Sequence, residues 1–405
     1  MTGRPPNRSD AADSTGSVLS LLRKPVLLVW AIFLISMPFY VGESGLPQPG
    51  NALLFLLLPM ALNGWKGKLP GRTKRVLVQL LWFTVWVFLV NYSWALINGK
   101  WGPQYYVIHP LYYLFNAILF FTALVIYDRH GMRFLRLTAY VIVGVVLFQV
   151  VASLIFRTEM FRGTLFFNNP NQLGYYALLA ACLIAMLQRP TQMGLLPASI
   201  ALTGCAYLAI LSASRAASAG IGILMVMLLF SNPRMIIVGI LASVGLLAVG
   251  GPVPQAIENA QRRAAAESGP EGGFVEERAY DRLWEYKEHL LFGAGEGDVE
   301  RFVSEGHARE IHSSAATVLF SYGIVGSLLF VAFVLSVLRG APLRATAMLV
   351  PTFAYTIAHQ GLRFSMLWVL LAAYMANKLH SAAAERKPNA PSPSSASERP
   401  LARPK

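Results

Sequence analysis

The sequence predicts an all-α membrane protein with about twelve transmembrane helices, and three observations support this prediction. Of its 405 residues, 55% are hydrophobic and 13% are charged, whereas about a quarter of the residues in a soluble domain are charged. The apolar residues fall in repeated runs of about 20, the length that an α-helix needs to cross a bilayer. The positive residues lie in short connections between these runs, as in other polytopic membrane proteins.

Proline, glycine and charged residues divide the apolar sequence, and each apolar run is predicted to be one transmembrane helix. The twelve predicted helices cover residues 26–42, 50–64, 76–98, 104–127, 134–156, 171–188, 193–212, 214–231, 234–251, 312–338, 343–359 and 363–380. The resulting segments are a cytoplasmic N-terminal tail at 1–25, nine helices within 26–251, a periplasmic helical loop at 252–311, three helices within 312–380 and a disordered cytoplasmic tail at 381–405. The first helix is predicted to be an uncleaved span.

Basic residues predict the orientation of this bundle. They occupy the even-numbered connections as Lys66, Lys68, Arg72, Lys74, Arg75, Arg129, Arg133, Arg189, Arg234, Arg339 and Arg344. Connections rich in Lys and Arg stay in the cytoplasm, so both termini are predicted to be cytoplasmic and the loop at 252–311 periplasmic, in a bacterial inner membrane. The net charge of +14 therefore reflects membrane orientation and not a nucleic-acid surface. The two cysteines, Cys182 and Cys205, lie in apolar runs and offer no disulfide framework.

The loop at 252–311 is the one sizeable segment predicted outside the membrane. Residues 254–267 are predicted to form a polar helix, which the prolines and glycines of 270–273 end. A second helix is predicted over 275–290, and it would place Arg278 and Arg282 on one face because they are four residues apart.

Arginines on the outer face oppose the usual charge bias and therefore need a local reason. The candidates are Arg162, Arg215, Arg278 and Arg282. Singly, each would more often be a solvated or snorkelling side chain. Together they predict a site for an anionic group, either a lipid head group or a lipid-linked diphosphate, because guanidinium donates paired hydrogen bonds to phosphate. Asn169 and Asn171 lie beside Arg162, as helix caps or as ligands of the same site.

His312 is predicted to begin the tenth span, directly after the loop. A neutral imidazole there can accept a proton from a hydroxyl, which makes His312 a candidate general base, the alternative being an interfacial anchor. His307 and His289 are weaker candidates, and His359 lies near Arg363 at another outer helix end. Neither a metal-ligand cluster nor a nucleotide-binding motif is recognisable, so no metal and no cofactor are expected.

Four short motifs in this order resemble the O-antigen ligase family, which belongs to a wider group with O-antigen polymerases and protein O-oligosaccharyltransferases. The first is 163–174, with Asn-Pro-Asn at 169–171, and the second is Ser-x-Ser-Arg at 212–215. The third is Gly-Ala-Gly at 293–295, after the arginine-bearing helix. The fourth is His312 followed by Tyr-Gly-Ile-Val-Gly at 322–326.

The resemblance implies a glycosyltransferase of GT-C-like architecture that acts in lipopolysaccharide biosynthesis. It implies periplasmic transfer of a polysaccharide from undecaprenyl diphosphate to a hydroxyl of lipid A-core oligosaccharide, without a metal. By position, Arg215 and either Arg278 or Arg282, with Arg282 favoured, would hold the diphosphate, and His312 would act at the acceptor hydroxyl.

Two alternatives stay open. A polymerase or a protein O-oligosaccharyltransferase would use the same donor and a different acceptor. A transporter of lipid-linked sugars would place charged residues at mid-span, whereas the polar groups here concentrate at one predicted surface.

Overall fold

The computed structural model describes residues 18–42, 47–156, 162–248, 252–266, 278–302 and 310–385, and the regular elements in these ranges are helical. The main helices are α1 (Pro25–Ser36), α2 (Leu53–Leu62), α3 (Gly71–Asn98), α4 (Ile108–His130), α5 (Met132–Ile155), α6 (Pro170–Leu187), α7 (Leu195–Leu211), α8 (Arg215–Ser231), α9 (Pro233–Ala248), α10 (Pro252–Ala266), α11 (Ser314–Leu338), α12 (Val350–Ala358) and α13 (Ser365–Glu385). Short helices cover Val18–Leu21, Arg282–Glu285 and Leu343–Ala347.

Five helical stretches in the described ranges are long and apolar enough to cross a membrane. They are Gly71–Asn98, Tyr105–His130, Met132–Ile155, Pro170–Leu187 and Ser314–Leu338. Shorter apolar helices are Pro25–Ser36, Pro49–Leu62, Leu195–Leu211, Arg215–Ser231 and Pro233–Leu246. The chain is therefore an all-helical, multi-pass membrane protein, while the number twelve remains a prediction.

Several predicted boundaries differ from the structure, mostly at prolines. The helix predicted at 26–42 ends at Ser36, just before Pro38, which has no N–H to continue a helix. The helix predicted at 343–359 is divided into Leu343–Ala347 and Val350–Ala358, with Pro351 in the first turn of the second piece. The last helix continues to Glu385, inside the segment predicted to be a disordered tail, and the remainder of that tail lies outside the described residues.

The loop prediction is confirmed for its first helix and wrong for its second within the described residues. Pro252–Ala266 is helical, close to the predicted 254–267. Of the helix predicted at 275–290, only the turn Arg282–Glu285 is α-helical, and Lys287–His289 is a 3-10 turn. Ala279 has a φ of 54°, a left-handed conformation that an α-helix of L-residues does not accommodate. Arg278 and Arg282 therefore do not share a helix face.

Helices α6 and α13 form the centre of the bundle. All residues from Leu173 to Leu187 and from Met366 to Lys378 are buried. A helix that is apolar on every side must be enclosed by other helices, and α7, α8 and α4 pack around these two. Both central helices begin at the same end of the bundle, which we call the site end because Asn169, Asn171 and Arg363 lie there.

The opposite end, which we call the basic end, carries the positive residues of the short connections. Helix α3 links the two ends: Arg72 approaches Gly340 near its start, and the Trp94 indole donates to the Gly293 carbonyl near its finish, 2.9 Å away. At 1.5 Å per residue these two positions are about 33 Å apart, the thickness of a bilayer core.

Cations at the basic end also cap helices. Arg129 donates to the carbonyls of Met60 and Ala61 at the end of α2, at 3.0 and 2.9 Å. Arg189 donates to Ser231, the last residue of α8, and Lys378 donates to Val337 near the end of α11. The last carbonyls of a helix have no partner within it, and positive charge is favourable there.

Cysteine labelling tests the predicted orientation. In spheroplasts, a membrane-impermeant maleimide should label Glu276→Cys directly and Lys68→Cys only after permeabilisation, since 252–311 is predicted to be periplasmic. The native Cys182 and Cys205 are buried and supply a low background. Labelling of Glu276→Cys only after permeabilisation would reverse the orientation; this position lies outside the described residues.

Candidate active site

A cavity of about 970 Å³ opens at the site end and has two chemically different walls. One wall is apolar and is supplied by α1, α2 and α4 through Phe33, Met37, Leu54, Phe55, Leu58, Leu111, Leu114, Phe115 and Ile118. The other is polar and includes Tyr112, Asn169, Asn171, Gln172, Arg278, Glu310, His312, His359, Gln360 and Arg363. The volume is at the upper end of the range for ligand pockets, about 300–1,000 Å³.

The Asn-Pro-Asn motif forms the start of α6. The Asn169 side chain accepts a hydrogen bond from the Asn171 backbone N–H at 2.8 Å, and Pro170 takes the first helical position, where its missing N–H is not needed. Asn169 therefore caps the helix, as one of the two sequence interpretations predicted. Both asparagines also line the cavity, and their role as ligands stays a prediction.

Arg162 joins this motif to the Ser-x-Ser-Arg motif. Its Nη2 donates to Asn171 Oδ1 at 2.7 Å, and its Nε donates to the Ser212 carbonyl at 3.1 Å. Gly174 lets α6 pack closely against the Ser-x-Ser-Arg motif, since a Cβ at this position would approach Ser212 Oγ to 2.6 Å. Arg215 is the first residue of α8, and its side chain is exposed and does not line the cavity.

His312, Arg278 and His359 lie together on the polar wall. The His312 backbone N–H donates to the Arg278 carbonyl at 3.2 Å, and the Ser314 N–H donates to the His359 carbonyl at 3.2 Å. Arg278 Nη1 lies 3.1 Å from His359 Nδ1. Because a guanidinium can only donate, this nitrogen of His359 accepts and carries no proton.

The sequence predicted that His312 begins the tenth span, but α11 begins at Ser314 and His312 precedes it. Ser313 is the N-cap, and its side chain accepts from the Ala316 N–H at 3.3 Å. The His312 side chain is exposed and lines the cavity. The capping role that a histidine might have filled therefore belongs to the serine.

Arg282 does not line this cavity. It is 5% exposed and lines an adjoining small space that shares Glu310, Gln360 and Arg363 with the cavity. Its guanidinium is 5.8 Å from the centre of the Phe302 ring, and burial lowers its pKa. Of the two arginines that the sequence left open, the structure therefore brings Arg278 to the large cavity.

A buried ion pair between Glu296 and Arg363 lies beside the polar wall. Arg363 Nε donates to Glu296 Oε1 at 3.0 Å, and Tyr322 and Gln360 donate to the same carboxylate. Asn91 also holds the Glu296 backbone, accepting from its N–H at 3.0 Å and donating to its carbonyl at 3.1 Å. Sequence reasoning did not select Glu296, and the one local signal was an acidic residue between two glycines.

The electrostatics of this pair are strongly coupled. Burial is the largest single influence on the pKa of the Glu296 carboxyl and would raise it, but Arg363, His109 and the hydrogen bonds from Tyr322 and Arg363 together lower that pKa from 4.5 to about 2. Burial likewise would lower the pKa of Arg363, but Glu296 and Glu310 together raise it well above its ordinary value. Both groups are therefore charged at neutral pH.

The Gly-Ala-Gly and Tyr-Gly-Ile-Val-Gly motifs contact each other. Helix α11 is kinked at Gly323, where φ is 68°, and the kink frees the carbonyls of Phe320 and Ser321. These carbonyls accept from the N–H groups of Ala294 and Gly295, both at 2.9 Å. The loop thus fills a break in the helix, which orients the residues that follow, including Glu296.

His289 does not line the cavity, and His307 lies outside the described residues. The His289 ring makes edge contacts with Trp94, Phe302 and Phe320, at centroid distances of 5.2–6.2 Å. Burial, with Arg301 nearby, lowers the pKa of His289. Its surroundings are those of a packed loop residue.

The Glu296 pair predicts a pH-dependent difference in stability. Because the folded pKa is below the ordinary value, the stabilisation is complete above pH 4.5 and is lost as pH falls toward about 2. Glu296→Gln should cost about 1–3 kcal/mol at pH 7, since it removes the buried carboxylate and leaves Arg363, which is 19% exposed, with Glu310 alone. Unfolding in detergent from pH 7 to 3 should show this difference narrowing below pH 4.5; a constant difference would contradict it.

Comparison with known proteins found a family match for one part of the chain, which contains several of the candidate site residues. A comparison with curated proteins found no match. Residues 198–331 match the model of the O-antigen ligase family. The matched segment contains Arg215, Arg278, Arg282 and His312 together with the glycines of the loop and of α11. The match confirms the resemblance seen in the sequence motifs over residues 198–331, about a third of the chain.

Proposed function

We propose that this protein is an O-antigen ligase that transfers a polysaccharide from undecaprenyl diphosphate to a hydroxyl of lipid A-core oligosaccharide, on the periplasmic face of the inner membrane. The observation that carries the proposal is the cavity with one apolar and one cationic wall. The family match supports glycan transfer of the ligase or polymerase type and leaves the acceptor open.

The two walls suit the two parts of a lipid-linked diphosphate. The apolar side chains of α1, α2 and α4 suit a polyisoprenoid chain. On the polar wall, Arg278 can donate paired hydrogen bonds to phosphate oxygens. The N-termini of α6, α8, α11 and α13 also meet at the site end, where their dipoles favour negative charge. Arg162 adds positive charge next to Asn171.

In the proposed reaction, His312 accepts the proton of the acceptor hydroxyl. That oxygen forms a bond to the anomeric carbon while the bond from this carbon to the diphosphate oxygen breaks, so the anomeric configuration inverts. Arg278, together with Arg215 as the family resemblance implies, stabilises the negative charge that grows on the leaving diphosphate. Asn169, Asn171, His359 and Arg363 are proposed to orient the substrates.

Transfer in vitro tests the proposal. Purified protein is incubated with a lipid-linked glycan and with either lipid A-core oligosaccharide or a second lipid-linked glycan. A product on lipid A-core supports the ligase, whereas a longer lipid-linked chain would identify a polymerase. If the protein bound the donor but transferred its glycan to no acceptor, protein acceptors included, the result would favour a transporter.

The arginines give a paired prediction. Arg278→Lys keeps the charge but loses the paired donors, so transfer should fall at least tenfold, or about 1.4 kcal/mol, with weaker binding of undecaprenyl diphosphate. Arg282→Lys is the matched control and should change donor binding little, because Arg282 faces a different space. If Arg282→Lys weakened donor binding more than Arg278→Lys did, Arg282 would again be favoured as the residue that holds the diphosphate.

A further inference from the structure

The polar wall of the cavity is not uniform in charge. Around Arg278 it carries cations and histidines, whereas Arg363 is in contact with two carboxylates. Arg363 Nε donates to Glu296, and its Nη1 donates to Glu310 at 3.4 Å. The formal charge of this group of three is −1, and Arg282 in the adjoining space offsets part of it. A diphosphate is therefore attracted more strongly to the Arg278 side than to the Glu310 side.

The Glu310 side of the polar wall carries polar groups that an uncharged ligand could pair with by hydrogen bonds. Among the described residues, neither the Tyr112 hydroxyl nor the Gln360 amide oxygen has a hydrogen-bond partner, although both atoms are buried. Leaving such a group unpaired costs about 1–3 kcal/mol, which a ligand hydroxyl in the cavity would offset. The Glu310 side chain is 45% exposed and can accept from a ligand hydroxyl while it contacts Arg363.

We propose that Tyr112, Glu310, Gln360 and Arg363 form a sugar subsite next to the diphosphate position. An aromatic ring, a carboxylate, an amide and a charge-balanced guanidinium recognise hydroxyls and an apolar sugar face, and they do not suit a second phosphate. The subsite deepens the proposed function and rests on it. The sugar comes either from the glycan on the donor or from the acceptor oligosaccharide.

The position of the subsite relative to His312 gives it a role in the reaction. Glu310 is two residues before His312, and both line the cavity. A sugar ring held by Glu310 therefore lies beside the base. Glu296 acts through Arg363 and is a positioning residue, because it fixes the guanidinium from behind without lining this cavity.

Binding measurements on the full-length protein in nanodiscs separate this subsite from the diphosphate site. The probes are undecaprenyl diphosphate without sugar, the same carrier with its glycan, and delipidated core oligosaccharide. The variants are Tyr112→Phe and Glu310→Gln, which keep size and shape. Tyr92→Phe is the matched control, because Tyr92 contacts Phe88 and Trp101 away from the cavity.

Both subsite variants should bind the sugar-free carrier like the wild type and bind one sugar-bearing probe about tenfold more weakly, the effect of losing one or two hydrogen bonds. Weaker binding of the glycan-bearing carrier alone assigns the subsite to the donor, and weaker binding of core oligosaccharide alone assigns it to the acceptor. Equal weakening of the sugar-free carrier, or unchanged binding of all three probes, would overturn the subsite. A wild type that binds none of the probes would instead refute the proposed function.

Discussion

Replacement of His312 by alanine is expected to lower turnover by about 10²–10⁴, the usual effect of losing a general base. The side chain lines the cavity, while the neighbouring Ser313 caps α11. The imidazole therefore has no capping duty, and its loss should leave folding and binding of the donor nearly unchanged. The measurement is transfer normalised to folded protein, with donor binding determined on the same sample.

His289→Ala is the matched control for a loop histidine. Its ring contacts Trp94, Phe302 and Phe320, so the variant should lower thermal stability while each folded molecule keeps most of its transfer activity. If His312→Ala retained full normalised activity, the base would have to be sought at His359, the other histidine on the cavity wall.

Gly323→Ala is expected to destabilise the fold by at least about 3 kcal/mol. The φ of 68° and ψ of −173° at this residue cost a side chain about 1–3 kcal/mol. A Cβ would also overlap the carbonyl oxygen of Leu291 and would lie 2.7 Å from the Gly293 nitrogen. The loop would have to withdraw from the kink and give up its hydrogen bonds to α11. Thermal unfolding of the purified protein in detergent measures the loss.

Gly222→Ala controls for the substitution itself. Gly222 lies within α8 with nothing within 4 Å of the position of a Cβ, so alanine there should be neutral or stabilise by about 0.5–1 kcal/mol. Equal stability of the Gly222→Ala and Gly323→Ala proteins would show that the loop does not depend on the kink.

Sequence reasoning succeeded where a short motif has a local cause. Asn-Pro-Asn begins a helix because asparagine caps it and proline tolerates the first turn, and the structure shows this start at Pro170. The placement of Arg162 and His312 at one end was also predictable, since each lies near the end of an apolar run. Their proximity follows from the order of the helices alone.

Sequence reasoning failed where the position of a side chain depends on one backbone angle or on a partner far away in the sequence. The spacing of Arg278 and Arg282 predicts a common helix face, but the left-handed conformation of Ala279 separates them. Glu296 and Arg363 are 67 residues apart, and nothing local marks them as partners. Their pairing is decided by how the loop at Gly293 enters the kink of α11, which periodicity does not reveal.

At the basic end, the same cationic side chains have two roles. Arg129 and Arg189 belong to the positive charge that predicts membrane orientation, and each also satisfies carbonyls at the end of a helix. An unsatisfied backbone group near hydrocarbon costs several kcal/mol. Moving these charges to the opposite face would therefore damage the helices themselves. A substitution that weakens the orientation signal at either residue should also lower the stability of the helix that it caps.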